Sequence, residues 1–149
     1  MGTSDRAVGA VARAKEGEED KERKVYNMVR IVIPVEDKEG EVLSAHFGRA
    51  PYFAWFDLTQ GEVVDKGIKN NDSSHFGGIG LPPERMMAMG ADVVISAGMG
   101  MRAIQMFQNS TVAVLQAESM SVKQNLQDFK ENRLTELTQG CLHAHEHEH

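Results

Sequence analysis

The apolar residues fall into short β-branched runs in the first half of the chain and into alternating strand-like and helix-spaced runs in the second. The run Val29–Val35 (VRIVIPV) is rich in β-branched residues, and Pro34, which cannot donate a ladder hydrogen bond, marks its end; it predicts a central strand. A charged turn over residues 36–41 and a loop around His46 lead to a second strand over residues 52–58 (YFAWFDL). Thr59-Gln60-Gly61 turns the chain back into residues 62–69 (EVVDKGIK), whose weak alternation predicts a third strand in a hairpin with the second.

Beyond residue 70 the pattern becomes strand-then-helix. Residues 82–90 (PPERMMAMG) predict a short helix opened by prolines and closed by glycine. Residues 92–96 (DVVIS) predict a buried strand, residues 101–108 a helix and residues 111–115 (TVAVL) another strand. Val122, Leu126 and Phe129 share one face of a last helix, with Ser121 as its N-cap. The predicted order is βββαβαβα, an α/β fold, and no repeat of solenoid length is present.

Composition places limits on this picture. At 149 residues and 41% hydrophobic content the chain has the size and core of one domain, carried here by residues 28–138. Residues 1–27, with the charged run KEGEEDKERK at 15–24, offer almost nothing to bury and are expected to be a disordered leader or an extension of the native chain. The net charge of -6 disfavours nucleic acid and anionic membrane as partners, and no segment has the apolar length of a signal peptide or a membrane span. A single cysteine, Cys141, excludes an intramolecular disulfide framework and a cluster held by four thiolates of one subunit; the expected compartment is the cytoplasm.

Candidate chemistry gathers at three places. Residues 44–53 (SAHFGRAPYF) set an imidazole, His46, and a guanidinium, Arg49, around Phe47 and Gly48 on a turn at the entrance of the second strand. Two glycine-rich loops precede helices: His75-Phe76-Gly77-Gly78-Ile79-Gly80 and Ala97-Gly98-Met99-Gly100. Loops of this kind lie beyond the carboxyl ends of parallel strands and present backbone N–H groups to an anion, with Arg49, Arg85 and Arg102 as nearby bidentate donors. The second loop lacks the glycine count of a dinucleotide fingerprint and the lysine–hydroxyl pair of a P-loop. His75 would join His46 as an imidazole ligand if the loops converge. The methionines read mainly as core filling, with Met99 and Met101, beside a loop, as the candidates for soft-metal contact.

The third place is the tail, residues 139–149. Cys141, His143, His145, His147 and His149 recur at every second position, so an extended chain aligns them on one side and a helix pairs His143 with His147 and His145 with His149. Either geometry offers two imidazoles to a divalent transition metal, with affinity falling as pH drops below the histidine range. The plainer readings are an engineered affinity tag or a disordered end.

The string SAHFGRAPYF, the loops Gly77-Gly78-Ile79-Gly80 and Gly98-Met99-Gly100-Met101-Arg102-Ala103, and the stretch Gly90-Ala91-Asp92-Val93-Val94-Ile95 resemble the dinitrogenase iron-molybdenum cofactor biosynthesis family, over roughly residues 29–137. The resemblance implies a ribonuclease H-like α/β fold with a mixed sheet of about five strands flanked by helices. It implies no nuclease, since Asp57, Asp65 and Asp92 read as turn and cap residues and not as a two-metal carboxylate set. It further implies a non-enzymatic protein that binds and carries an iron–sulfur-based metallocluster, such as the iron–molybdenum cofactor or a precursor, or a simpler iron–sulfur species or metal ion, between donor and acceptor proteins. His46, Phe47, Gly48, Arg49, His75, Gly77, Gly78, Gly98, Gly100 and Arg102 would then line the cluster site, with His46 as a metal ligand. The lack of further domains separates the chain from dedicated nitrogenase carriers. The alternatives are an enzyme or sensor for a small anion held by the same loops, or a regulatory interaction module; the sequence leaves the oligomeric state open.

Overall fold

A computed structural model describes residues 28–74 and 77–138. Along the chain run β1 (Val29–Val35), a 3-10 turn (Phe47–Arg49), β2 (Tyr52–Thr59), β3 (Glu62–Asn70), α1 (Pro82–Ala88), β4 (Val93–Ser96), α2 (Met101–Asn109), β5 (Ala113–Gln116) and α3 (Val122–Lys130). The strands form one five-stranded mixed sheet in the order β3-β2-β1-β4-β5. β2 is antiparallel to both β1 and β3, while β1, β4 and β5 are mutually parallel.

β1 and β4 are continuous apolar runs because both faces of the sheet centre are covered. On one face Ile31, Ile33 and Val35 pack with Phe56, Ile95 and Leu115 beneath Val122, Leu126 and Phe129 of α3. On the other, Val32, Phe53 and Val94 pack beneath Met86 of α1 and Ile104 and Phe107 of α2. The result is a three-layer α/β/α arrangement. Met99 lies in this second core and is buried, so it serves packing and is not available as a soft-metal ligand.

Local signals in the sequence account for most boundaries. The Ser121 side chain accepts from the Gln124 amide (3.2 Å) and caps α3. Gly90, at φ 84, closes α1, and Glu84 accepts from the Leu81 amide (2.8 Å) at its start. The last strand begins at Ala113, two residues later than its β-branched run suggests. Thr111 takes φ 58, and the amides of Thr111 and Val112 donate back to Gln108 and Phe107, so both residues finish the reversal after α2. β3 alternates weakly because it is an exposed edge strand whose register with β2 shifts at Asp57/Leu58, which turns Val64 out of the alternation.

Asp57 is neither a turn nor a cap residue. It sits buried on β2 and accepts two parallel hydrogen bonds from Arg30, at 2.7 and 2.9 Å. Arg30 also donates to the Met89 carbonyl (2.7 Å) and stacks 4.5 Å from the Trp55 ring centroid, while its amide donates to Asp92 (2.8 Å). These contacts tie β1, β2 and the end of α1 together, and the Asp57 bond holds the guanidinium in its charged form.

Candidate functional site

The register fixes which loops share an end of the sheet. Val35 of β1 pairs with Tyr52 of β2, and Tyr52 with Asn70 of β3. The end of β1, the start of β2 and the end of β3 therefore coincide, and parallel β4 and β5 finish at the same end. The His46 turn, the loop after β3, the Ala97-Gly98-Met99-Gly100 loop and the start of α2 all leave from it. This is the end at which open α/β sheets bind ligands.

His46, which precedes the 3-10 turn, and Arg49, its last residue, are exposed there, three residues apart. The turn itself is held firmly. Phe47 packs edge-on against Phe107 of α2, with ring centroids 6.0 Å apart. Ser44, fully buried, donates to Glu36 (2.6 Å) and accepts from the His46 amide (3.2 Å). Asn71, also buried, donates through Nδ2 to the carbonyls of Ala50 (2.8 Å) and Gly48 (3.3 Å), and its Oδ1 accepts from the Ser73 amide (3.0 Å). Gly48 lies within the 3-10 turn and is not among the described residues of positive φ, so the turn does not depend on left-handed backbone there.

The loop after β3 closes on itself. Ile79 and Gly78 amides donate to the Asp72 and Ser73 carbonyls, and the Ser74 amide to Gly80. A Cβ on Gly78 would stand 1.8 Å from the Asp72 carbonyl oxygen, so glycine is required for close approach of the two backbone segments. That supports a packing role for Gly78. Gly77 takes φ 82, which also shapes the turn.

Arg85, a candidate anion donor on sequence grounds, is committed elsewhere. Its Nε and Nη2 donate to the two carboxylate oxygens of Asp72, at 3.0 and 3.2 Å, which pins this loop to α1 and holds the Asp72 carboxyl below its ordinary range. His75 lies outside the described residues, as do Cys141, His143, His145, His147 and His149, and the leader, residues 1–27.

The loop after β4 is braced in the same manner as the His46 turn. Ser96 donates to the Gly98 carbonyl (2.9 Å), and Gln116 at the end of β5 donates to the Ala97 carbonyl (2.6 Å). Gly100 then starts α2 with no side-chain cap, which leaves first-turn amides available at the helix's positive end, beside exposed Arg102. Nothing lies within 4 Å of a Cβ placed on Gly100, so this side of the helix start is open.

The mouth thus combines one imidazole, two guanidiniums and free backbone donors: a set suited to an anion with an open metal position. Among the described residues no three His, Cys, Asp or Glu side chains stand close enough to hold a metal ion by themselves. Asn71 and Gln116 were not singled out by the sequence, and Ser44 only as the first residue of the SAHFGRAPYF string. Asn71 is one polar residue in the run Asn70 to Ser74, and only the folded register shows which loop each of the three braces.

The family model described as dinitrogenase iron-molybdenum cofactor matches residues 29–132, which spans the whole sheet and all three helices. The chain belongs to the dinitrogenase iron-molybdenum cofactor family. The chain is similar to an uncharacterized protein of Methanocaldococcus jannaschii, 27% identical over 109 residues that cover 72% of this chain and 90% of that protein. A putative NifB protein from Thermotoga has a similar structure, with a TM-score of 0.59 at 26% identity over 76% of this chain and 97% of its own. The apo form of the orange protein from Desulfovibrio gigas reaches a TM-score of 0.64 at 23% identity over 74% of this chain and 93% of its own, a likeness of fold. No helix among the described residues is long and apolar enough to cross a membrane.

Proposed function

We propose that this member of the dinitrogenase iron-molybdenum cofactor family is a non-enzymatic carrier, which receives an iron–sulfur-based metallocluster or precursor from a donor protein and releases it to an acceptor within the cell. The observation that carries this reading is the pairing of exposed His46 and Arg49 on a turn braced by Asn71, at the same end of the sheet as the uncapped start of α2. The sheet order β3-β2-β1-β4-β5 with β2 reversed supports a ribonuclease H-like fold.

The cargo's chemistry fits the residues. His46 offers a single imidazole to an open metal position, and one ligand is enough to retain a cluster without making it hard to release. Arg49 and Arg102 face the cargo's negative charge, and the first-turn amides of α2 donate to its sulfides.

Anaerobic incubation with iron and sulfide, followed by gel filtration, should give visible absorption that travels with the protein and weakens in His46→Ala. A colourless wild type contradicts the cluster reading. Thermal stabilisation of that colourless protein by phosphates or carboxylates would instead favour the small-anion reading, since a ligand of the native state raises Tm.

A further inference from the structure

A concavity lies on the α3 face of the sheet, the face opposite the one on which Phe47 of the mouth packs against α2. Its volume is about 990 Å³, at the upper end of the range for small-molecule sites. It exists because α3 covers β1 and β2 but stops short of β3, while the turn over residues 36–42 folds across the other side. Gly40 rests against Ile68 there, and the Val122 amide donates to the Glu41 carbonyl (3.0 Å). Phe56 and Leu126 line the groove.

Two observations mark it as more than a gap between elements. Seven large apolar side chains are exposed among the described residues, and four of them, Val42, Val63, Ile68 and Met120, line this one groove. Such concentration of exposed apolar surface is a mark of binding sites. The groove also carries two lysines, Lys66 from β3 and Lys123 from the first turn of α3, neither of them in an ion pair among the described residues. Register places Lys66 opposite Phe56, so its charge rises from the apolar floor itself. Glu39 and Glu41, on the turn, disfavour a second anionic group in the occupant.

We infer that this groove binds a small amphipathic monoanion, an apolar chain ending in one carboxylate, with its chain over Val63, Ile68 and Phe56 and its head between Lys66 and Lys123. The site is independent of the cluster mouth and goes beyond the carrier reading.

Titration calorimetry of the full chain with decanoate, kept below micelle formation, should show saturable one-to-one binding. Lys66→Ala with Lys123→Ala should weaken decanoate by about tenfold, as loss of charge-assisted contacts does, and leave decanol binding little changed. Ile68→Asp should abolish binding of both while circular dichroism shows a folded protein, since Ile68 is partly exposed. His46→Ala should leave decanoate affinity as it is. The inference is overturned if decanoate gives no saturable heat. It is equally overturned if the double variant binds decanoate as tightly as wild type, or if the groove is covered by a second copy, seen by sedimentation as a dimer that Ile68→Asp dissociates.

Discussion

His46 and Asn71 represent two kinds of site residue, and they should fail differently. The His46 ring is exposed, so His46→Ala should leave Tm within experimental spread while the reconstituted visible absorption falls. Asn71 is buried and satisfies three backbone groups. Asn71→Ala leaves those groups unpaired, which costs about 1–3 kcal/mol; urea unfolding should detect the loss, together with poorer cluster retention as the His46 turn loosens. Equal stability of the Asn71→Ala and wild-type proteins would contradict the bracing role. The difference between the two residues also explains what the sequence conveys at this scale. His46 and Arg49 are conspicuous because exposed charge chemistry depends on residue type. Asn71 stands in a run of polar residues, Asn70 to Ser74, where nothing local says which one turns inward.

Among the elements, the loop after β3 and the start of α2 are both glycine-rich, yet their glycines do different things. Gly78→Ala drives a Cβ into the Asp72 carbonyl and should destabilise by about 1–3 kcal/mol, whereas Gly100→Ala adds a methyl in open space at φ -69 and should be close to neutral. Equal unfolding midpoints for the two variants would contradict this assignment. The same loop carries a pH dependence. Asp72 titrates below its ordinary range in the fold because Arg85 donates to the ionised form, so the pair's contribution is full above the ordinary carboxylate range and is lost as pH falls through the lower folded value. Tm followed from neutrality into acid should show wild type and Asp72→Asn converging at the acid end; a constant gap would contradict the linkage. At this scale the sequence is most readable where burial is uniform. β1 and β4, covered on both faces, announce themselves as apolar runs, and the Ser121 cap and Gly90 stop mark their helices. β3 is faint because an exposed edge with a register shift has little reason to alternate.

For the whole molecule, one end of the sheet brings Arg49, Arg102 and the α2 first-turn amides together while the chain as a whole carries a net charge of -6. A negative protein that holds an anionic cargo must do so locally, through His46, Arg49, Arg102 and the α2 amides, and should lose that hold as ionic strength rises. Cys141, His143, His145, His147 and His149 lie outside the described residues and are a separate proposal from the mouth, and a metal bound by them would need no sulfide. The α/β class, with a five-stranded mixed sheet and three helices, was readable from the strand and helix patterns; the convergence of the His46 turn with the α2 start was not, because it depends on strand pairing across more than sixty residues, as in Ile31 with Val93.

The most direct test of the carrier account is the iron and acid-labile sulfide content of anaerobically purified protein, measured with its absorption spectrum for the full chain and for a version ending at Gly140. The account predicts iron and sulfide in comparable amounts in both proteins, with the same visible bands. Metal that disappears with the tail, and carries no sulfide, would contradict it and leave the tail as the metal site.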